Sequence, residues 1–76
     1  MTYDIPTLMN NSRGKVVLLR MRNTKTIQGT LKNFDIHMNL SLEDAEDISD
    51  EKPEKLGKIL IRGDNILVVS MPKEES

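Results

Sequence analysis

The chain has 76 residues, with 11 Lys/Arg against 12 Asp/Glu for a formal net charge of −1, 37% hydrophobic residues and no cysteine. This length holds a single domain with a thin core, the lack of cysteine excludes disulfides, and no cluster of histidines and carboxylates offers ligands for a structural metal. With neither cofactor nor metal expected, association with other subunits is the remaining reinforcement for so small a fold.

Residues 1–6 show neither the basic start nor the apolar run of a signal peptide, and no stretch approaches the roughly 20 apolar residues of a membrane span. A cytoplasmic protein without a membrane partner is expected. Charge is segregated along the chain: residues 1–41 carry six Lys/Arg against two Asp/Glu, whereas residues 42–55 carry two against seven. Near-neutrality overall therefore conceals a basic half and an acidic segment.

In chain order, residues 6–10 read as one short helix, with Asp4 or Ile5 before it, Pro6 in its first turn and Asn11 or Gly14 beyond it. Residues 15–22 form a first strand, with Val17, Leu19 and Met21 on one side. Asn23 and Thr24 make a tight turn into a second strand over residues 26–33, whose alternation puts Ile27, Gly29 and Leu31 inward. Gly29 in mid-strand marks a sharp bend, and a bent strand around a small core points to a barrel. A third strand is expected over residues 38–46, burying Met38, Leu40 and Leu42. Residues 47–56, acidic and containing Pro53, read as a loop. A fourth strand covers residues 58–62, Gly63 and Asp64 turn the chain, and a fifth runs over residues 65–71.

Leu60 and Ile61, and then Ile66, Leu67, Val68 and Val69, do not alternate with polar residues, so they leave apolar surface beyond what one core absorbs. Pairing the fourth strand of one copy with the fifth of the next covers it. Such a contact is head-to-tail, removes both exposed edges and closes into a ring. Covering of one edge by the N-terminal helix within a monomer is the competing arrangement.

The polar groups concentrate at two points. His37 and Asn39 sit at the start of the third strand, one pleat apart and on the same side, and Arg62, Gly63 and Asp64 end the fourth. The flat faces of His37 and Arg62 can hold a nucleobase between them, each stacking contact worth about 1–3 kcal/mol. Asn39 offers an amide to the base edge in a pattern that suits uracil. Because an amide can flip to suit cytosine, a backbone N–H of the Gly63–Asp64 turn is the expected arbiter. Asp35 is expected to hold its loop by accepting backbone N–H groups rather than to touch the ligand.

These residues carry a family resemblance. Residues 15–46, with Gly29, Phe34-Asp35, His37-Met38-Asn39-Leu40 and Asp44-Ala45-Glu46 in order, resemble the first motif of the Sm and Sm-like (LSm) proteins. Residues 57–71, with Gly57 and Ile61-Arg62-Gly63-Asp64-Asn65-Ile66, resemble the second, and the archaeal Sm-like type is the most similar. The resemblance implies an all-β, SH3-like fold: a short N-terminal helix, then a strongly bent five-stranded antiparallel sheet forming a small open barrel. It further implies a ring of usually seven subunits, with His37, Asn39, Arg62, Gly63 and Asp64 forming a pocket for single-stranded uridine-rich RNA around the pore. RNA processing or RNA chaperoning, with other RNA-processing proteins as further partners, is the corresponding role. Bacterial Hfq is similar in fold but carries a Lys-His pair where this chain has Arg62-Gly63.

Two other classes compete. A scaffold for protein partners in ribonucleoprotein assembly would need the ring but no base pocket. An enzyme would need a nucleophile paired with a base, metal-ligand spacing or a phosphate-cradling glycine loop, and the sequence offers none of these patterns.

Overall fold

The computed structural model describes residues 4–71, so the outer ends of the expected single domain, residues 1–3 and 72–76, lie outside it. Helix α1 (Ile5–Ser12) opens the chain. Asp4 caps it: its carboxylate accepts the Thr7 N–H at 2.9 Å, and Pro6 occupies the first turn, where no N–H is needed. The helix runs two residues past the expected end. Met9 enters the core completely, and Ser12, though buried, is satisfied by donating to the Leu8 carbonyl at 3.1 Å.

Five strands follow: β1 (Val16–Met21), β2 (Thr26–Phe34), β3 (Leu40–Asp47), β4 (Glu54–Ile61) and β5 (Ile66–Ser70). They form one antiparallel sheet in the order β4-β3-β2-β1-β5. The alternation of β1 and β2 is realised as expected, with Val17, Leu19, Ile27 and Leu31 buried. Leu40, Leu42, Ala45 and Ile61 complete the core. Burying each such Val, Leu or Ile side chain contributes about 1.5–3 kcal/mol. Gly29 lies where the β2–β3 register shifts, and a Cβ there would stand 3.1 Å from the Ala45 Cα and 3.2 Å from a Leu42 methyl. The bend thus coincides with a backbone-to-backbone approach that only glycine leaves unstrained.

Three expectations are corrected. The third strand begins at Leu40, not residue 38, because Met38 adopts a left-handed conformation (φ 63°) in the turn before it. His37 and Asn39 therefore occupy a turn and are not related by a strand pleat. The alternation of β3 also breaks at Asp44 (φ 52°), where a bulge lets Ala45 follow Leu42 into the core three positions later. Finally, the expected loop over residues 47–56 contracts to residues 48–53. Glu54 and Lys55 already pair with Asp47 and Glu46. The first half of β4 is an edge strand exposed on both faces, so no buried side chain reveals it in the sequence.

The sheet order leaves β4 and β5 as its two edges. Leu60 is 85% exposed on one, and Leu67 and Val68 are 60% and 46% exposed on the other. Ile66 and Val69 are half-buried against the core, and Ile61 is buried within it. Of the six expected interface residues, Leu60, Leu67 and Val68 have side chains free for a neighbour, whereas Ile61 has only its backbone to offer. Among the described residues, no helix is long and apolar enough to cross a membrane.

Candidate nucleic-acid interface

Two turns at one end of the sheet carry the polar residues. The first, residues 35–39, joins β2 to β3 and is organised by Asp35. One carboxylate oxygen of Asp35 accepts the backbone N–H groups of His37 at 2.9 Å and Asn39 at 3.0 Å, and the other accepts the Asn39 side-chain amide at 3.0 Å. The hydrogen bonds from Asn39, backbone then side chain, and that from His37 hold the Asp35 carboxyl below the ordinary carboxylate range. Backbone bonds from Asp35 N–H to Asn39 O and from Met38 N–H to Asp35 O close the same turn.

The second turn is a 3-10 segment, Gly63–Asn65, between β4 and β5. Its own hydrogen bonds run from Asn65 N–H to Arg62 O and from Ile66 N–H to Gly63 O. Neither uses the Asp64 N–H. The two turns touch at Gly63, whose N–H donates to Asn39 Oδ1 at 2.8 Å. A Cβ on Gly63 would overlap the His37 carbonyl oxygen and crowd the Met38 carbonyl. Glycine is required here by space, since its φ is not positive.

Asn39 is consequently held on both sides. Its carbonyl oxygen faces a group that can only donate, the Gly63 N–H, and its NH2 faces a group that can only accept, the ionised Asp35 carboxylate. Flipping the amide would break both bonds, so the orientation of Asn39 is fixed by the network. One Nδ2–H and one Oδ1 lone pair remain for a ligand. On sequence grounds the amide was expected to be free to flip, and the expectation fails because the carboxylate and the N–H meet it from two different turns.

Arg62, directly before Gly63, places its guanidinium 3.0 Å from the Asp64 carboxylate, with both side chains largely exposed. An exposed pair of this kind contributes little to stability and is exchanged at small cost. Asn39 and Arg62 line one cleft of about 520 Å3, together with Asp35, Phe34, Leu40 and the exposed edge residue Leu60. His37 is exposed and stands outside that cleft, on the turn whose backbone contacts Gly63. Arg22 ends the first strand expected over residues 15–22 and lies just past β1. Its Nε donates to the Asp64 carbonyl at 2.7 Å and its N–H to the Asn65 carbonyl at 2.8 Å, so the end of β1 supports the second turn from behind. No local pattern signals this, because it depends on β1 pairing with β5.

Among the described residues, no group of three or more His, Cys, Asp or Glu side chains is disposed to hold a metal. The cleft offers a fixed amide beside a guanidinium, with an exposed imidazole on the adjoining turn.

The fold and sequence have counterparts among known proteins. The LSM domain profile matches residues 7–71. An Sm-like protein of Methanosarcina barkeri is 41% identical over 64 residues, covering 83% of this chain and 89% of that protein. Among solved structures, the P. aerophilum SmAP1 heptamer superposes with a TM-score of 0.88 at 38% identity, covering 97% of this chain and all of the other. The Pyrococcus abyssii Sm protein in complex with a uridine heptamer gives a TM-score of 0.85 at 37% identity, covering 92% of this chain and 100% of the other. The chain belongs to the LSM domain family.

Proposed function

We propose that this protein forms a homo-oligomeric, heptameric ring that binds single-stranded uridine-rich RNA at pockets built from His37, Asn39, Arg62, Gly63 and Asp64, acting in RNA processing or as an RNA chaperone. The observation that carries the reading is the two-sided fixation of Asn39. Uracil presents a carbonyl oxygen at its 4-position where cytosine presents an amino group. The free Nδ2–H of Asn39, unable to exchange places with Oδ1, donates to the carbonyl of uracil and finds no acceptor in the amino group of cytosine. The Asp64 N–H, which the turn leaves unused, is a second fixed donor for a base oxygen. His37 and Arg62 supply flat faces for stacking once Arg62 yields its exposed contact with Asp64.

One such site holds a single base weakly. Copies repeated around a ring present successive nucleotides at high effective concentration, and the product of many weak contacts becomes a useful affinity. The uridine heptamer bound by the Pyrococcus abyssii protein and the heptameric state of the P. aerophilum protein support the ligand and the assembly. The two exposed apolar edges, β4 with Leu60 and β5 with Leu67 and Val68, support the same head-to-tail closure.

The reading is of a cytoplasmic binding module without a catalytic step. Asp35 and Asp64, the acidic residues of the two turns, are engaged by Asn39 and Arg62 rather than by a nucleophile. Native mass measurement with and without a seven-nucleotide oligouridine tests the proposal. The expected result is a mass of seven subunits that gains one oligonucleotide, with weaker uptake of oligocytidine. A monomer indifferent to oligouridine overturns it, and a ring that ignores RNA favours the protein scaffold.

A further inference from the structure

We propose that Arg22 is a positioning residue for base selection, acting through the Asp64 carbonyl; this rests on the reading of the two turns as a uridine pocket. Gly63 N–H to Asn39 Oδ1 ties the second turn to the first. Its far end is held by the Ile66 N–H to Gly63 O bond and by the pairing of Ile66 with Met21 of β1. Arg22 adds a side-chain fastening at Asp64 itself. Nε holds the Asp64 carbonyl at 2.7 Å, and the Arg22 backbone N–H holds the adjoining Asn65 carbonyl at 2.8 Å. The Asp64 N–H lies in the Gly63–Asp64 peptide, whose carbonyl accepts the Ile66 N–H, and the next peptide is held at its carbonyl by Arg22, so both peptides that meet at Asp64 are fastened. The donor proposed for the base edge thus keeps its direction, and a fixed donor is what separates uracil from cytosine.

An arginine at this place has a second conceivable use. Arg22 borders a cleft of about 260 Å3 with Arg20, Lys25 and Leu67, where it would add positive charge for a phosphate. The two uses make opposite predictions. A positioning role depends on a donor at the Nε point and changes selectivity; a phosphate contact depends on charge and changes the salt dependence for every sequence alike.

The side-chain amide nitrogen of glutamine occupies the same place along the chain as arginine Nε. Arg22→Gln therefore keeps the donor and removes the charge, whereas Arg22→Met removes both at similar bulk. Binding of labelled seven-nucleotide oligouridine and oligocytidine to the intact assembly, followed by fluorescence anisotropy at several salt concentrations, compares the wild type with both variants. The expected result is that Arg22→Met lowers the uridine-to-cytidine affinity ratio about three- to tenfold per site, the weight of one hydrogen bond, while Arg22→Gln retains the ratio. Should Arg22→Met not assemble, Arg22→Ala provides the donor-less arm. Retention of the ratio in the donor-less variant overturns the inference, as does equal weakening of both oligonucleotides by both variants with a shallower salt slope. A wild type that does not distinguish the two oligonucleotides removes the pocket reading itself, and this inference with it.

Discussion

Asn39 Oδ1 accepts the Gly63 N–H at 2.8 Å across 24 positions of sequence, and this one bond joins the turn after β2 to the turn after β4. Replacing Asn39 with aspartate keeps an acceptor for Gly63 but sets a second carboxylate oxygen against Asp35, where an amide now donates at 3.0 Å. The lost donor and the carboxylate repulsion act together. Asn39→Asp is expected to weaken oligouridine binding by at least about tenfold, the effect of losing one hydrogen bond to a charged group. Anisotropy titration measures this, and an unchanged ring mass separates it from misassembly.

Two glycines test two different reasons for glycine. At Gly63 a methyl group would overlap the His37 carbonyl, so Gly63→Ala must part the two turns and abolish oligouridine binding. At Gly57 nothing lies within 4 Å of an added Cβ, but φ is +76°. Gly57→Ala is expected to cost about 1 kcal/mol of backbone strain and to leave binding unchanged. Thermal unfolding and anisotropy on the same samples check both halves of the contrast.

Where a strand has one buried face, the sequence reveals it: Val17 and Leu19 in β1, and Ile27 and Leu31 in β2, alternate with less buried neighbours and sit where alternation puts them. The signal fails where the physics gives it nothing to act on. Glu54, Lys55 and Leu56 belong to an edge strand held by backbone bonds, and neither face needs apolar side chains. It fails again at Asp44, where a bulge shifts the parity of the burial pattern. The residues proposed for the site are singled out in the sequence by motif chemistry. The locking of Asn39 and the fastening of Asp64 by Arg22 are not, because each joins segments brought together only by the strand order.

Arg62 and His37 are expected to act through their planes. Alanine at either position should cost about 1–3 kcal/mol per bound base, and the loss is compounded around the ring. Arg62→Lys retains the charge without the plane. It should therefore keep the salt dependence of binding yet recover little of the affinity, and a full recovery would show that Arg62 serves as a point charge.

Acid should loosen the start of the loop between β3 and β4. Asp47 accepts hydrogen bonds from the Ser49 hydroxyl at 2.6 Å, the Ser49 N–H at 3.0 Å and Lys25 Nζ at 3.2 Å, which lower its pKa from 3.8 to about 2. A carboxylate with a depressed folded-state pKa stabilises the fold fully above its ordinary value, and the contribution is lost as pH falls from 3.8 through about 2. Asp47→Asn should remove this part of the acid dependence. Unfolding midpoints between pH 5 and pH 2 are expected to fall less steeply for the variant than for the wild type.

Leu60 and Ile61 are sequence neighbours with opposite surroundings, 85% and 7% exposed in the single subunit, so they separate assembly from folding. A glutamate at Leu60 places a charge on the open β4 edge without touching the core. It should leave the subunit folded but reduce the mass from a ring to a monomer, because a neighbour's β5 would have to desolvate the carboxylate. Leu67→Lys, on the opposite edge, should do the same. Ile61→Ala instead removes a core side chain and should cost about 2–5 kcal/mol of subunit stability. Light scattering reports the mass and denaturant unfolding the stability. Oligouridine affinity should collapse in the two edge variants even though His37, Asn39 and Arg62 are intact, since a single pocket has no neighbours to multiply its grip. Edge variants that bind as tightly as the wild type while monomeric would place the whole affinity in one subunit.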